Sequence, residues 1–432
     1  MKAVILAGGM GTRLKTITGE LPKPMVPVAG KPLLVHLIEL CKKYGIQDIH
    51  LTTGYRGEWI REQLKDGSQL GVSLFHHIES KSLGTAGSVK AIEDFLKEDF
   101  LLIYGDVFVE MDLNRLLEFH KNHPGMGSLT VHPNNHPFES DLLELDENRI
   151  VAFHPKPHPN NEFFANIVNA GVAVLSSQIF KFIPPNEFCD FGHDIFPKII
   201  SENGILHAYN TPEYLKDLGT PERYERVNKD YISGKISRLC LGKKRKAVFI
   251  DRDGTLNKYK PFLHKISDFE LYPGTEDALK KLNETEFLSI VVSNQPQLAR
   301  GLLSFAELKA IHNKMETLLG KKGARIDALY FCPHHPDKGY AEEVPELKID
   351  CLCRKPGLKM YQDASARFNI DLSQSVYIGD SSRDIYAGTL LGGKTVLLKT
   401  GEGGKDGNYP CNPSMICKDL FEAVNALEGV LS

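Results

Sequence analysis

No apolar run in this chain reaches the roughly 18 residues that a membrane-spanning helix needs, so no membrane span is expected. The N-terminal text MKAVILAGG has only a short apolar stretch before its glycines, too little for a signal peptide. It reads as the first buried strand of a cytoplasmic protein. Neither charge sign is in clear excess. The count is 52 Lys+Arg against 55 Asp+Glu, a net charge of −3, whereas a dedicated nucleic-acid binder carries a basic surplus. No repeat of roughly 20–50 residues is present, which argues against solenoids and propellers. Cysteine is sparse, with eight in 432 residues, and Cys41, Cys189 and Cys240 stand singly, which excludes a disulfide miniprotein. Cys411 and Cys417 read as small buried hydrophobes. What remains is a globular balance of 42% hydrophobic and 25% charged residues, long enough for two or three domains.

Short continuous apolar runs at Ala3–Leu6, Phe100–Tyr104, Val248–Ile250, Leu288–Val292 and Val376–Ile378 predict strands buried on both faces of a parallel sheet. Helical patterns lie between them at Lys31–Tyr44, Thr85–Leu96, Thr275–Leu282 and Phe305–Leu319. Alternating strand and helix predicts α/β architecture. The polar, basic text SGKISRLCLGKKRK at 233–246 reads as a linker, and a fresh strand begins at Ala247. The expected domains are therefore 1–232 and 247–432. No aromatic or basic stripe continues Lys243–Lys246, so that cluster reads as a solvated linker rather than a nucleic-acid patch. The His-Pro text at His132–Pro137 and His154–Pro159 reads as stiff polar loops. The five predicted strands lead to Gly, Asp or Ser-Asn, most of them directly, and ligands of open parallel sheets bind at the carboxyl ends of strands.

The first strand leads into LAGGMGTRL. Gly8, Gly9 and Gly11 let backbone N–H groups approach a phosphate chain, and Arg13 adds a phosphate-matching fork. The loop matches neither the P-loop spacing nor a dinucleotide fingerprint. About ten residues on, PKPMVP presents Lys23 from a proline-stiffened segment. Together, LAGGMGTRL and PKPMVPVAGKPLL resemble the sugar-nucleotide pyrophosphorylase family, over roughly residues 1–230. The resemblance implies that Gly8, Gly9, Gly11, Thr12 and Arg13 hold a triphosphate and that Lys23 neutralises the α-phosphate. It implies that LGTAG, with Gly84 and Thr85, meets base and ribose. Asp106 in YGDVFVEMD and Asp217 in YLKDLGTPERY would hold magnesium, and Lys156, Asn169 and Gly171 would meet the sugar phosphate and sugar. These residue types suit in-line attack of a sugar phosphate on the α-phosphorus, where all substrates are anionic and catalysis is positioning and charge neutralisation. LGTAG resembles the guanylyl-transferring members, which points to GTP.

The second half opens with AVFIDRDGTLN, where Asp251 and Asp253 follow a buried strand at i and i+2. This Asp-x-Asp-Gly-Thr text resembles the haloacid-dehalogenase phosphatase superfamily. The resemblance implies Asp251 as nucleophile and Asp253 as general acid and base. It implies Ser293, Asn294 and Lys355 as phosphate ligands, and Asp251, Asp253 and Asp380 as a magnesium site supported by Asp384. Cys332, His334, Cys351 and Cys353 offer three thiolates and an imidazole, a set that suits tetrahedral zinc. That cluster resembles the structural zinc loop of heptose bisphosphate phosphatases and of histidinol-phosphate phosphatases, with His335 outside the ligand set. SNQPQLARG at 293–301 favours the heptose branch, and Arg300 and Arg354 are candidates for gripping a second phosphate.

The expected architecture is two Rossmann-like three-layer α/β/α domains, the second carrying the zinc loop. The combination resembles a fusion of a heptose bisphosphate phosphatase with a heptose 1-phosphate guanylyltransferase. It implies small-molecule substrates, GTP and heptose phosphates, with magnesium in both halves and structural zinc in one, and it leaves homo-oligomerisation open. Two alternatives stand beside it. One is a mannose 1-phosphate guanylyltransferase fused to a histidinol-phosphate-type or other sugar phosphatase. The other is an inactive regulatory or scaffold protein, which would have lost charged site residues that this sequence keeps.

Overall fold

In the computed structural model, which describes residues 1–9 and 19–431, the chain forms two compact units. The first comprises Met1–His132, Leu143–Pro155 and Val168–Cys240. The second comprises Pro133–Leu142, Lys156–Ile167 and the chain from Leu241 onward. Both His-Pro segments therefore belong largely to the second unit, although they lie in the first half of the sequence.

In the first unit, β1 (Lys2–Leu6) is followed by α1 (Leu33–Lys43), β2 (Asp48–Thr53), β3 (Ser73–Ile78), α2 (Gly84–Lys90), β4 (Phe100–Tyr104) and β5 (Val107–Glu110). Then come β6 (Gly127–His132), β7 (Leu142–Asp146), β8 (Arg149–His154), β9 (Val168–Leu175), β10 (Leu206–Asn210), β11 (Tyr214–Asp217) and α3 (Pro221–Ile232). The nine-stranded sheet runs β3-β2-β1-β4-β9-β6-β10-β8-β7. Strands β3, β2, β1 and β4 are parallel neighbours, and β9 lies antiparallel to β4 and β6. Ala3 and Ile5 of β1 share one buried core with Leu33 and Leu37 of α1, which begins directly after Pro32. The predicted helix at 85–96 is shorter than its pattern. It stops at Lys90, and a single 3-10 turn, Glu93–Phe95, follows.

The second unit contains β12 (Ala247–Ile250), α4 (Thr275–Asn283), β13 (Leu288–Asn294), α5 (Phe305–Lys321), β14 (Ala328–Cys332) and α6 (Lys359–Phe368). After these come β15 (Val376–Gly379), α7 (Ser382–Leu390), β16 (Lys394–Leu398), β17 (Met415–Cys417) and α8 (Leu420–Ala426). Its six strands are all parallel, in the order β14-β13-β12-β15-β16-β17. That is the doubly wound pattern, whose direction reverses between β12 and β15. Side chains of β12 alternate between two cores. Val248 and Ile250 join α4, α5 and α8, whereas Ala247 and Phe249 join α6 and α7. A capping box starts α5: Ser304 Oγ accepts the Glu307 N–H while the Glu307 carboxylate accepts the Ser304 N–H.

The stretch at 233–246 is built rather than loose. It contains a short helix, Lys235–Leu239, and Leu241 and Arg245 are buried. Arg245 donates to Glu286 O, while Lys243, Lys244 and Lys246 remain exposed.

Candidate active sites

In the first unit, Leu6 at the end of β1 pairs with Tyr104 at the end of β4. The two strand ends are so close that a Cβ on Gly105 would lie 2.6 Å from Leu6 O. β11 runs antiparallel to β5 with Asp217 opposite Val107, and the Leu218 N–H donates to Asp106 O at 2.9 Å, which puts Asp217 beside Asp106. Lys23, in a one-turn 3-10 helix after Pro22, places Nζ 2.7 Å from Asp106 Oδ2. Arg223, in the first turn of α3, donates Nη1 to both oxygens of Asp217 at 2.9 and 3.0 Å. Burial alone would raise the Asp217 carboxyl, but Arg223 outweighs it and holds that group below its ordinary range. The structure thus brings Lys23, Asp106 and Asp217 together and adds Arg223 to them. The signal for Arg223 was present, as a guanidinium six residues after the aspartate and at a helix start.

The LGTAG segment serves packing as well. Gly84 has φ +73°, and a Cβ there would sit 2.3 Å from Cys189 O. Thr85 Oγ1 donates to Asp190 Oδ2 at 2.6 Å and accepts the Phe191 N–H at 2.9 Å, so its hydroxyl proton is already committed. Asn169 and Gly171 form a bulge in β9, where a Cβ on Gly171 would meet Tyr104 and Val107 at 3.2 Å. They therefore stand at the strand end that leads to Asp106. Lys156 lies in the second unit, where its Nζ donates to Glu139 O at 2.8 Å and its N–H to Asp141 Oδ1 at 3.2 Å. Gly11, Thr12 and Arg13 lie outside the described residues.

In the second unit, Asp251 leaves β12 and Asp380 leaves β15, the two strands at which the sheet order reverses. Lys355 Nζ lies 2.7 Å from Asp251 Oδ1, 2.7 Å from Asp384 Oδ1 and 2.7 Å from Val292 O. Asn294 fixes the lysine's backbone, accepting the Lys355 N–H at 2.9 Å and donating to Lys355 O at 3.1 Å. Asp384 is set by its own helix start, since Ser381 Oγ donates to Asp384 Oδ2 at 2.5 Å. Asp380 is crowded by Gly254 and Gly401, where a Cβ would come within 2.3 and 1.9 Å of its Oδ2. Ser293 Oγ accepts from Gln295 Nε2 at 2.7 Å.

One member of the expected metal set differs. Asp384, not Asp253, stands with Asp251 and Asp380, and their oxygens lie within 4.8 Å of one another. Asp253 turns instead to Arg252 Nη2, Asn257 Nδ2 and Gln295 Nε2, at 2.7, 3.0 and 2.8 Å. Burial would raise Asp253, but Arg252 outweighs it and keeps the carboxylate form. Arg252 is fully buried and also donates to His312 Nε2 at 3.0 Å. Burial, then Arg252, pushes His312 down to about 3, so it accepts as a neutral ring. The sequence reading missed this cradle, although an arginine flanked by two aspartates after a buried strand marks it.

In the second unit two groups of side chains have the donors of a metal site, Asp251 with Asp380 and Asp384, and the Cys/His cluster. Burial pushes Asp251 and Asp380 above the ordinary carboxylate range, with Asp384 adding to the shift in each. Two buried carboxylates and a half-buried one, facing one ammonium, leave excess negative charge, which a divalent cation would neutralise. Cys332, His334, Cys351 and Cys353 bring their donor atoms within 4.8 Å of one another, with Sγ–Sγ separations of 3.2, 3.3 and 3.5 Å. Three thiols and one imidazole gathered this closely are the donor set that suits tetrahedral zinc. Arg354 follows it and donates to His334 O at 3.3 Å. Arg300 lies over the Phe262 ring at 4.1 Å and the Tyr340 ring at 4.5 Å.

Residues 2–234 match the family described as Nucleotidyl transferase, and residues 352–423 match one described as HAD-hydrolase-like. Mannose-1-phosphate guanyltransferase 2 of Candida glabrata is 33% identical over 241 residues, which are 54% of this chain and 63% of that protein. The chain thus spans less than two thirds of the relative's length. The solved structure of HddC from Yersinia pseudotuberculosis is 30% identical with a TM-score of 0.47, covering 53% of this chain and 99% of that one. That of D,D-heptose 1,7-bisphosphate phosphatase from B. bronchiseptica, complexed with magnesium and phosphate, is 34% identical with a TM-score of 0.37, covering 42% and 97%. No helix among the described residues is long and apolar enough to cross a membrane. With more than half of its length matched, the chain belongs to the nucleotidyl transferase family, and a HAD-like domain follows its nucleotidyltransferase domain.

Proposed function

We propose that this chain is a cytoplasmic two-activity enzyme of GDP-heptose formation. It removes the 7-phosphate of D-glycero-D-manno-heptose 1,7-bisphosphate and then transfers GMP from GTP to the heptose 1-phosphate, releasing pyrophosphate. The observation that carries the reading is Lys355 bridging Asp251 and Asp384 beside Asp380, in a chain whose other half belongs to the nucleotidyltransferase family. The text SNQPQLARG and the Cys/His cage support the heptose bisphosphate. LGTAG and the guanyltransferase relative support the guanine base.

In the phosphatase step, an Asp251 oxygen attacks phosphorus, the bond to the sugar oxygen breaks, and Asp253 supplies that oxygen with a proton. Water then attacks the aspartyl phosphate, Asp253 takes its proton, and Asp251 and inorganic phosphate are released. Arg252, Gln295 and Asn257 favour the Asp253 carboxylate, the form needed for this second step. Lys355 holds the transferring phosphoryl group. Magnesium held by Asp251 and Asp380, with Asp384 alongside, would supply charge neutralisation, and zinc in the cage would be structural. In the transfer step, a sugar phosphate oxygen attacks the α-phosphorus as the α–β bridge breaks. Lys23 neutralises the α-phosphate, and Asp106 and Asp217 would hold magnesium on the triphosphate.

The test is mass spectrometry of products from the bisphosphate, magnesium and an equal mixture of four nucleoside triphosphates. A GDP-heptose peak that requires the bisphosphate is the expected outcome. Heptose 1-phosphate without a nucleotide sugar would sink the transferase half of the reading. Untouched bisphosphate would sink the heptose assignment. A second reading, transfer to mannose 1-phosphate, is favoured by the name of the Candida glabrata relative. GDP-mannose formation with mannose 1-phosphate as the preferred acceptor would select it.

A further inference from the structure

Arg252 stands between Asp251 and Asp253 in the chain, and its side chain is fully buried. Its backbone N–H donates to Asp251 Oδ1 at 2.7 Å. Its guanidinium works on two sides. Nη2 reaches Asp253 Oδ1 and Oδ2 at 2.9 and 2.7 Å and Gln295 Oε1 at 3.0 Å. Nη1 reaches His312 Nε2 at 3.0 Å, while Nε has no acceptor among the described residues. An arginine only donates, so the His312 ring accepts with Nε2 and keeps its proton on Nδ1. Gln295 closes the network, since its Nε2 donates to Asp253 Oδ2 at 2.8 Å and to Ser293 Oγ at 2.7 Å. Arg252, Asp253, Asn257 and Gln295 all lie on loops that leave strand ends. His312 alone among these partners sits inside a long helix, α5, where it is 8% exposed and its ring lies 5.6 Å from that of Phe331 on β14. The guanidinium that carries Asp253 is thus anchored from behind by a packed side chain on a rigid element.

We propose that His312 is a positioning residue of the phosphatase reaction, acting through Arg252 to hold the Asp253 carboxylate where it serves the leaving oxygen and the attacking water. The proposal rests on the phosphatase reading above and adds to it a residue outside every strand-end motif. Without the His312 acceptor, Nη1 is a buried donor with no partner, and the guanidinium tilts to find one, taking Asp253 with it. A displacement on the order of 1 Å at a reacting group costs about 100-fold in rate. The loss has a chemical signature. Asp253 must give a proton to a sugar alkoxide, but p-nitrophenolate leaves with its bonding pair as a stable anion and needs none. With that leaving group only the second step, in which Asp253 takes the proton of water, depends on His312.

The full chain is tested with p-nitrophenyl phosphate and with heptose 1,7-bisphosphate. In stopped flow, His312→Leu should release its first p-nitrophenolate, about one per chain, at close to the parental rate, and its steady turnover should then be about 100-fold below the parent's. Turnover of the bisphosphate should fall at least as far. His312→Gln, which keeps an acceptor at the same reach, should restore both. Added to Asp253→Asn, His312→Leu should slow the steady rate by no more than about a further twofold, because the group through which it acts is already gone. The proposal is overturned by a burst and a steady rate that fall together, by a Gln variant as slow as the Leu variant, or by a Leu variant that behaves as the parent. A further loss of about 100-fold on the Asp253→Asn background overturns it as well. A parent protein that turns over the reporter but leaves the bisphosphate intact sinks the heptose reading alone, since the reporter still reads His312. A parent inert towards both sinks the phosphatase reading and the proposal with it.

Discussion

Glu316 on α5 provides a quantitative test of how the second unit is held together. Its carboxylate accepts the Asn166 N–H at 2.7 Å, and the next residue, Thr317, accepts from the Phe164 N–H at 2.8 Å. Burial pushes Glu316 up to about 7 from an ordinary 4.5, with the Asn166 N–H pulling the other way. The folded state therefore holds this proton about 300-fold more tightly than the unfolded chain, which is about 3 kcal/mol. Because the folded pKa is raised, this stability is fully present below pH 4.5 and is lost as pH rises through 7. The Glu316→Gln variant keeps an acceptor for Asn166 but has no proton to lose. It should match the parent near pH 4.5 and exceed it at pH 8 by up to about 3 kcal/mol. The only tryptophan, Trp59, reports the first unit. The readout is therefore hydrogen exchange of the amides of Phe164, Asn166 and α5, corrected for intrinsic rates at each pH. A gain independent of pH, or a loss of protection at pH 8, would refute the reasoning.

Three further outcomes follow from the site geometry. Asp251→Asn should lower phosphate release about 10⁴-fold, as loss of a nucleophile does, while pyrophosphate release from the nucleotidyltransferase half continues; parallel loss of both would sink the assignment of separate sites. Cys351→Ser should take bound zinc from one per chain to none by elemental analysis and lower the melting point of the second unit on the order of 10 °C. Gly401→Ala places a methyl against Asp380 Oδ2, at a Cβ position 1.9 Å away and a φ of +56°, and should raise the magnesium concentration for half-maximal phosphatase activity about 10–100-fold. A magnesium titration that superimposes on the parent's would show that Asp380 can move aside at no cost.

Much of this architecture was legible because the signals were local. A buried strand that runs into Gly-Asp or directly into Asp announces both the sheet and the ligand end. Strands β1 and β4 of the first unit, and β12 and β15 of the second, are each adjacent in the sheet and carry those motifs. The grouping of Cys332, His334, Cys351 and Cys353 was legible from their donor chemistry together with the resemblance of that text to a phosphatase zinc loop. The contacts between 163–166 and α5 were not, because partners about 150 residues apart share no periodicity or motif. The His-Pro text reads as stiff polar loops, and nothing in it signals that residues 164 and 166, just beyond it, bond to a distant helix.

The placing of Asp253 shows where spacing rules stop. Side chains at i and i+2 share a face only while a strand continues. β12 ends at Ile250, and the N–H groups of Thr255, Leu256 and Asn257 all turn back to Arg252 O. The chain therefore curls at Arg252, which turns the Asp253 carboxylate onto the Arg252 guanidinium and out of the Asp251, Asp380 and Asp384 group. Asp384 takes the vacated place beside Asp251 and Asp380 because a helix start fixes a carboxylate as firmly as a strand does. Ser381 caps α7, Asp384 completes the capping box, and its other oxygen faces Lys355 at 2.7 Å. The trio is thus completed by a carboxylate at the third position of a helix that follows a strand-end aspartate, where the family resemblance implied Asp253.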